Sequence, residues 1–573
     1  MKIIRVNMGK KAVTVEDVPL KYQGLGGRGL TSIMINDEVP PKCDPLGPDN
    51  KLIVAPGLLS GTSLVNTSRI SIGAKSPLTG TIKESNAGGT IAAALGRLGI
   101  TAIVIEGQAL AGDLSVLRID EKGNASLIPA QEYKGIRTYK CVEKILNDYG
   151  EKTSVLCIGP AGEYRLAAAS IQSSDIDGHP CRAAGRGGMG AVMGAKGLKA
   201  LIVDQGGKSA DVIADPKTFN EAARAVAKYI KEDHMSSNVM PTLGTAALVA
   251  PVNSMGAFPS YNATKGVLDG WENISGEAMA ELIKKRGGNT THMGCAQCMI
   301  HCSNVYVDEK GKYVTGSLEY ETIWSMGGMT GIADLDTIAQ LDFLCDDIGV
   351  DTMSTGVAIA VAMDAGYQKF GDRTAAIKMV EEIGKGTEFG RILGNGPAAI
   401  GKHFKHTRVP VVKGQSIAAY DPRAMLGNGV TFATSPMGAD HTAGNVVGLY
   451  LTQQLDPLKP EGQVETSRNL QIAMAAFDST GLCFMACVAL FTPESGEAFR
   501  KVLSAKLGTE VGPDDFPAAM GIRVLKAERE FNKKAGFTNE DDRLPKFFYK
   551  EPLPPHNTVF TISDKELDST FDF

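Results

Sequence analysis

Between residues 51 and 205 the apolar positions come in short runs stopped by Gly, Pro or Asp. They are KLIVAPG (51–57), RISIGA (69–74), TAIVIEGQ (101–108), LSVLRID (114–120), SVLCIG (154–159) and KALIVDQ (199–205). Runs this short and rich in β-branched residues predict strands. One stretch interrupts them, GGTIAAALGRLG (88–99), with apolar residues at helical spacing. After GGKSADVIADPKTF (206–219) the period lengthens. PKTFNEAARAVAKYIKED (216–233) predicts an amphipathic helix opening at Asp215 and Pro216, and LDTIAQLDFLCDDIG (335–349) predicts one closed by Gly349. RTAAIKMVEEIGKG (373–386) and FPAAMGIRVLKAEREFNKKAG (516–536) keep that period, and LPKFFYKEPLPP (544–555) predicts an extended surface arm. The pattern predicts an α+β chain with a β-rich domain at 1–208 and helical domains at 209–410 and 411–573.

At 573 residues the chain exceeds what one hydrophobic core serves. With 43% hydrophobic and 21% charged residues it has the composition of a globular protein. A net charge of -5 speaks against a nucleic-acid partner. No apolar run approaches the ~18–20 residues of a membrane span. The N-terminal stretch also lacks the apolar core of a signal peptide. The expected location is therefore the cytoplasm, where ten cysteines are thiols or metal ligands rather than disulfides.

Three of those cysteines fall together in GCAQCMIHC (294–302), as Cys295, Cys298 and Cys302. Thiolates at this spacing converge on one centre, either a [4Fe–4S] cluster or tetrahedral zinc, and each takes four ligands. Cys345, Cys483 and Cys487 are candidates for the fourth, and His292 or His301 could complete a zinc site. A zinc-stapled, non-redox binding protein is therefore the reading from another class. A short internal repeat bears on the choice. DDIGVD (346–351) and DSTGLC (478–483) share an acid followed by a glycine turn, and the second copy ends in Cys483.

Glycine is abundant, 66 residues, and clusters in GLGGRG (24–29), KESNAGG (83–89) and GRGGMG (185–190). The first and third match a dinucleotide fingerprint. The third, however, follows polar residues instead of a strand and leaves too few residues for a crossover helix. What remains are loops of exposed amides flanked by Arg182 and Arg186, suited to phosphate and other anions. Together these loops and the two acidic turns predict one large polar cofactor held mostly by backbone.

NAGG (86–89), RAAGRGGMGAVMGAKGLKA (182–200), CAQCMIHC (295–302), EYET (319–322), DDIGVD (346–351), GADH (438–441), DSTGLC (478–483) and EPLP (551–554) together resemble the tungsten-containing aldehyde ferredoxin oxidoreductases. The resemblance spans essentially the whole chain. It implies a β-rich base of two packed sheets under two helical domains, with the cofactor at their interface. It also implies tungsten or molybdenum held by two pyranopterins, magnesium bridging the pterin phosphates, and one [4Fe–4S] cluster on Cys295, Cys298, Cys302 and Cys483. Arg69, Asn86, Ala87, Gly88 and the loop Arg182, Ala183, Ala184, Gly185, Arg186 and Gly187 would meet pterin or phosphate. Asp346 and Val350 would meet one pterin, Asp478 and Leu482 the other. The implied reaction is oxidation of a small aldehyde to a carboxylic acid. Electrons would pass to ferredoxin or an iron–sulfur partner subunit, and both a homodimer and a hetero-oligomer fit. Glu321 is the expected base, with Glu319 competing, and His441 the expected proton relay. Within the superfamily the alternative is the catalytic subunit of an aromatic thioester reductase. The sequence after His441, TAGN, lacks the lysine that some members place near the pterin.

Overall fold

The computed structural model describes residues 1–206 and 212–573. The domain cut expected near 208 lies outside the described residues. The N-terminal region builds two six-stranded sheets. The first contains β1 (Lys2–Asn7), β2 (Ala12–Asp17), β3 (Leu52–Pro56), β4 (Ile70–Lys75), β5 (Ile82–Ala87) and β6 (Ile100–Glu106), in the order β2-β1-β6-β3-β4-β5. The second contains β7 (Ser115–Ile119), β8 (Ala125–Pro129), β9 (Thr153–Cys157), β10 (Ile171–Ser173), β11 (Arg182–Ala184) and β12 (Leu198–Asp204), in the order β11-β10-β9-β12-β7-β8. Each sheet has one parallel pair, β1 with β6 and β7 with β12.

Burial on both faces explains the continuous apolar runs. Ile4, Val54, Ile72 and Ile103 of the first sheet share a core with Leu156, Leu201 and Val203 of the second. Their strand neighbours Ile3, Ile53 and Val104 face the other way, onto Leu30, Met34 and Ile35 of the helix Gly27–Glu38. Val155 and Ile202 likewise face Cys141, Val142 and Ile145 of the helix Thr138–Tyr149. The domain is thus helix, sheet, sheet, helix. The single helix expected here is an undercount, because Gly27–Glu38, Thr138–Tyr149 and the short Met189–Ala195 join Ile91–Arg97. Gly27–Glu38 escapes the pattern because it is buried around most of its N-terminal half. KESNAGG is also corrected, since most of it is β5 and not a loop.

The C-terminal part is mostly helical. Pro216–Glu232 is capped by Asp215, which accepts from the Thr218 amide. Its Phe219 and Val226 share a core with Phe477, Phe499, Val502 and Phe516, so this helix pairs with Pro493–Leu507 from the far end of the chain. A second core joins Ile338, Val357 and Val380 to Val430 and Phe432, across position 410. The helix expected from 516 begins as Met520–Ala535, because Phe516 is extended and Pro517 follows it. The tail also differs from expectation. Leu544, Phe547, Phe548 and Leu553 are buried, with a short helix Phe547–Lys550, because four large apolar side chains cannot stay in water. No single described helix is long and apolar enough to cross a membrane.

Candidate cofactor site

Cys295, Cys298 and Cys302 occupy the loop between β13 (Asn289–His292) and β14 (Ser303–Val307). Cys483 arrives from the opposite side. The helix Gln463–Thr480 stops at Gly481, and the chain bends by 119° before continuing through Phe484–Leu490. The four thiols act on one another. Burial pushes Cys298 up to about 11, and the thiolates of Cys295 and Cys483 add to the rise. Burial raises Cys302 well above the usual thiol range, and charge on Glu319 and Cys483 adds to that. Burial alone would raise Cys295, but the guanidiniums of Arg182 and Arg69 outweigh it and lower this thiol. Among the described residues no three of these sulfurs lie within 4.8 Å of one another. Tetrahedral zinc, with Zn–S of about 2.3 Å, would draw them to about 3.8 Å. The two histidines a zinc site would use are engaged elsewhere. His292 Nε2 lies 2.7 Å from Asp177 Oδ2, and His301 Nε2 lies 3.1 Å from the Cys298 carbonyl. Four thiols match the donor number of a [4Fe–4S] cluster.

Gly88 is the junction between this loop and the β base. A Cβ there would lie 2.5 Å from Cys295 Sγ and 3.1 Å from an Arg69 nitrogen. Arg69 donates to Asn86 Oδ1 at 2.5 Å, and Ala87, at the end of β5, is buried beside them. Arg182 donates to Cys295 Sγ at 3.4 Å and lies 3.6 Å from Glu319. Ala183 and Ala184 carry β11 on to Gly185, whose Cβ would meet Asp351 Oδ1 at 3.0 Å. Gly187 clears a path for Lys83, because a Cβ there would sit 2.4 Å from the lysine Cγ.

The two acidic turns occupy equivalent places, one on each sheet. Gly349 ends Leu335–Ile348 at φ +75°, and Gly481 ends Gln463–Thr480 at φ +82°. Glycine takes this left-handed cap without a Cβ penalty. Each turn also lies against a second glycine. A Cβ on Gly159 would sit 2.2 Å from the Ile348 carbonyl oxygen, and one on Gly57 would sit 2.1 Å from Gly481 Cα. Val350 pairs with Ala169 in an isolated bridge, and Leu482 is buried. Asp346 is buried and Asp478 half-buried. Asp346 is held well above the carboxylate range by burial and by Asp342. Asp478 is raised to about 7 by burial and by Glu84, with Arg28 and Arg69 opposing. The glycines of 24–29 serve the second turn by close packing, not as a free loop. A Cβ on Gly27 would lie 2.2 Å from the Asp478 carbonyl oxygen.

Glu321 Oε1 lies 3.7 Å from His441 Nε2. Burial raises the Glu321 carboxyl, while His441 and the Ala419 amide at 3.1 Å hold the rise back. Glu321 Oε1, His441 Nδ1 and Arg186 Nε are buried without hydrogen-bond partners among the described residues. Buried polar atoms in this state call for a ligand or water. Glu319 turns to the cysteine side instead, accepting from Thr245 Oγ1 at 2.5 Å and lying 3.6 Å from Arg182. Sequence reasoning missed the pair that holds His441. Buried Lys83 donates to Asp440 Oδ2 at 2.5 Å and pulls that carboxyl far below its usual range against the cost of burial. Arg186 donates to the carbonyl oxygens of Ala439, at 2.7 Å, and Ser416. A charged residue inside a strand that ends in Asn86-Ala87 was the available signal.

Family models for the aldehyde ferredoxin oxidoreductase N-terminal domain and for domains 2 and 3 match residues 3–205 and 221–571. The tungsten-containing aldehyde ferredoxin oxidoreductase of Pyrococcus furiosus is 34% identical, covering 99% of this chain and 94% of its own. The enzyme of that name from Thermococcus kodakarensis is also 34% identical, covering 96% and 92%. Among solved structures, the active-site complex BamBC of benzoyl coenzyme A reductase with 1,5-dienoyl-CoA shares the fold, with a TM-score of 0.82 at 21% identity, covering 100% of this chain and 93% of that one. With both family models covering nearly its full length, the chain belongs to the aldehyde ferredoxin oxidoreductase family.

Proposed function

We propose that this protein oxidises aldehydes to carboxylic acids, R–CHO + H2O giving R–COOH, two electrons and two protons. The cofactor would be a bis-pyranopterin tungsten centre, or molybdenum in its place, and Asp346, Val350, Asp478 and Leu482 of the two turns would hold it. A [4Fe–4S] cluster on Cys295, Cys298, Cys302 and Cys483 and magnesium on the pterin phosphates belong to the same reading. When bound, the metal would polarise the aldehyde and take up the electron pair, and the cluster would pass electrons singly to a ferredoxin or iron–sulfur partner.

The observation that carries this reading is the half-buried Glu321–His441 pair, with one buried, unsatisfied atom on each residue. A carboxylate raised by burial removes a proton from water more effectively near neutral pH than an ordinary one. His441, the more exposed of the two at 20% against 14%, takes that proton outward. Lys83 and Arg186 keep its loop in place. Arg69 and the 182–187 loop supply donors for phosphate. Anaerobically purified protein should contain tungsten or molybdenum together with iron and magnesium. It should also reduce a viologen dye with simple aldehydes. Metal analysis showing zinc alone, or dye reduction that Glu321→Gln leaves intact, would refute the assignment.

A further inference from the structure

Two distant segments must meet for the four cysteines to serve one centre, and one residue touches both. The Asn66 carbonyl oxygen accepts from the Cys483 amide at 2.8 Å. Its own amide donates to the Gln297 carbonyl at 3.0 Å. Asn66 Oδ1 accepts from the Met299 amide at 3.2 Å, and Nδ2 donates to Cys298 Sγ at 3.5 Å. The residue is 3% exposed and sits at φ +59°, where asparagine is among the tolerated side chains. Nothing in the sequence marks it, since it lies in an ordinary-looking turn, LVNTSR (64–69).

We propose that Asn66 is the positioning residue of the four-cysteine centre. Its backbone joins Cys483 to the cysteine triplet, and its Nδ2–H bond sets the electron density on the Cys298 sulfur. The proposal rests on the cluster reading given above. The physical argument concerns charge. A cluster gains negative charge on reduction, and an N–H donor to a ligand sulfur stabilises that charge. Outer partners of metal ligands also fix ligand geometry, and their loss costs about 10- to 100-fold in metal affinity. Other bonds hold the same two segments, Ser68 Oγ to the Ala296 carbonyl at 2.6 Å and the Arg69 amide to the Gly481 carbonyl at 3.2 Å. Neither reaches a sulfur.

The test uses anaerobically purified holoenzyme carrying Asn66→Gly or Asn66→Asp. Glycine tolerates the positive φ and removes the whole side chain, whereas aspartate keeps the shape and the acceptor but replaces the donor. Three quantities are read: iron per chain, its rate of release to a ferrous chelator, and the cluster midpoint potential by EPR-monitored titration. Both variants should fold, with circular dichroism spectra matching the parent. Both should titrate at a more negative potential than the parent, Asn66→Asp further than Asn66→Gly. Asn66→Gly should release iron about 10-fold faster or more. A fully loaded parent whose variants share its potential and release rate overturns the proposal alone. A parent that holds no iron overturns the cluster reading and the proposal with it.

Discussion

The turns 346–351 and 478–483 share a backbone plan and differ in their charge and in their last residue. Each caps a helix with a left-handed glycine and docks on a glycine of the β base. Around Asp346 the neighbours are mostly acids, Asp342 and Asp347, with Arg182 the opposing charge. Around Asp478 two arginines, Arg28 and Arg69, offset Glu84. Asp351 ends the first turn by capping the helix Thr352–Asp364 through the Ser354 amide. Cys483 ends the second by facing the cysteine loop. One local design thus serves two places on the β base, and the final position sets them apart, a capping aspartate in one and a cysteine turned to the cysteine loop in the other. Similar shape does not demand similar electrostatics, because the shape comes from the backbone and the charge from whatever packs behind it.

The largest effect should come from exchanging that final position. Cys483→Ser should strip the cluster, seen as loss of iron and of brown absorbance. Asp351→Ala, its counterpart, should keep full iron and cost only the lost cap, about 1 kcal/mol, in a denaturation curve. Glu321→Gln should lower kcat by roughly 10²–10⁴-fold with metal content unchanged. In the parent, kcat/KM should rise with pH through a carboxylate titrating above 4.5, and that acidic limb should vanish in the variant.

Smaller effects probe the two acids in cofactor-free protein. Asp478 binds its proton more tightly folded than unfolded, so its contribution is fully present below about pH 4 and is lost as pH rises through about 7. The shift from 3.8 corresponds to on the order of 4 kcal/mol. Urea denaturation of Asp478→Asn should therefore show stability nearly flat where the parent declines. Asp346→Asn should behave the same way but with its decline reaching higher pH, as its acidic neighbours demand. If Asp478→Asn and Asp346→Asn have identical profiles, the electrostatic contrast between the turns is wrong. Gly349→Ala and Gly481→Ala should each cost roughly 1–2 kcal/mol from the left-handed backbone alone. Further loss should follow where the new Cβ meets Gly159 at 2.7 Å or Gly57 at 2.8 Å.

Strand runs and amphipathic helices were legible because burial leaves a period in the sequence, and helix ends because Asp215 and Gly349 are local signals. Gly27–Glu38 was not, since a helix buried around most of its N-terminal half carries no contrast between faces. The tail was misjudged because Pro-rich spacing says nothing of what the aromatics pack against. Within the candidate site, the cysteine triplet and the repeated turn stood out by composition. Lys83 and Asp440 did not, since two charges far apart in a chain advertise nothing until folding brings them to 2.5 Å.

The sequence by itself determined the α+β class, the cysteine triplet and the two acid–glycine turns, because each depends on residues close together along the backbone. Only the tertiary structure brought Cys483 to Asn66, Glu321 to His441 and Lys83 to Asp440. It also set the charge around the acid of each turn. Those pairings follow from which surfaces of sheet and helix exclude water against each other, and no single segment contains that information.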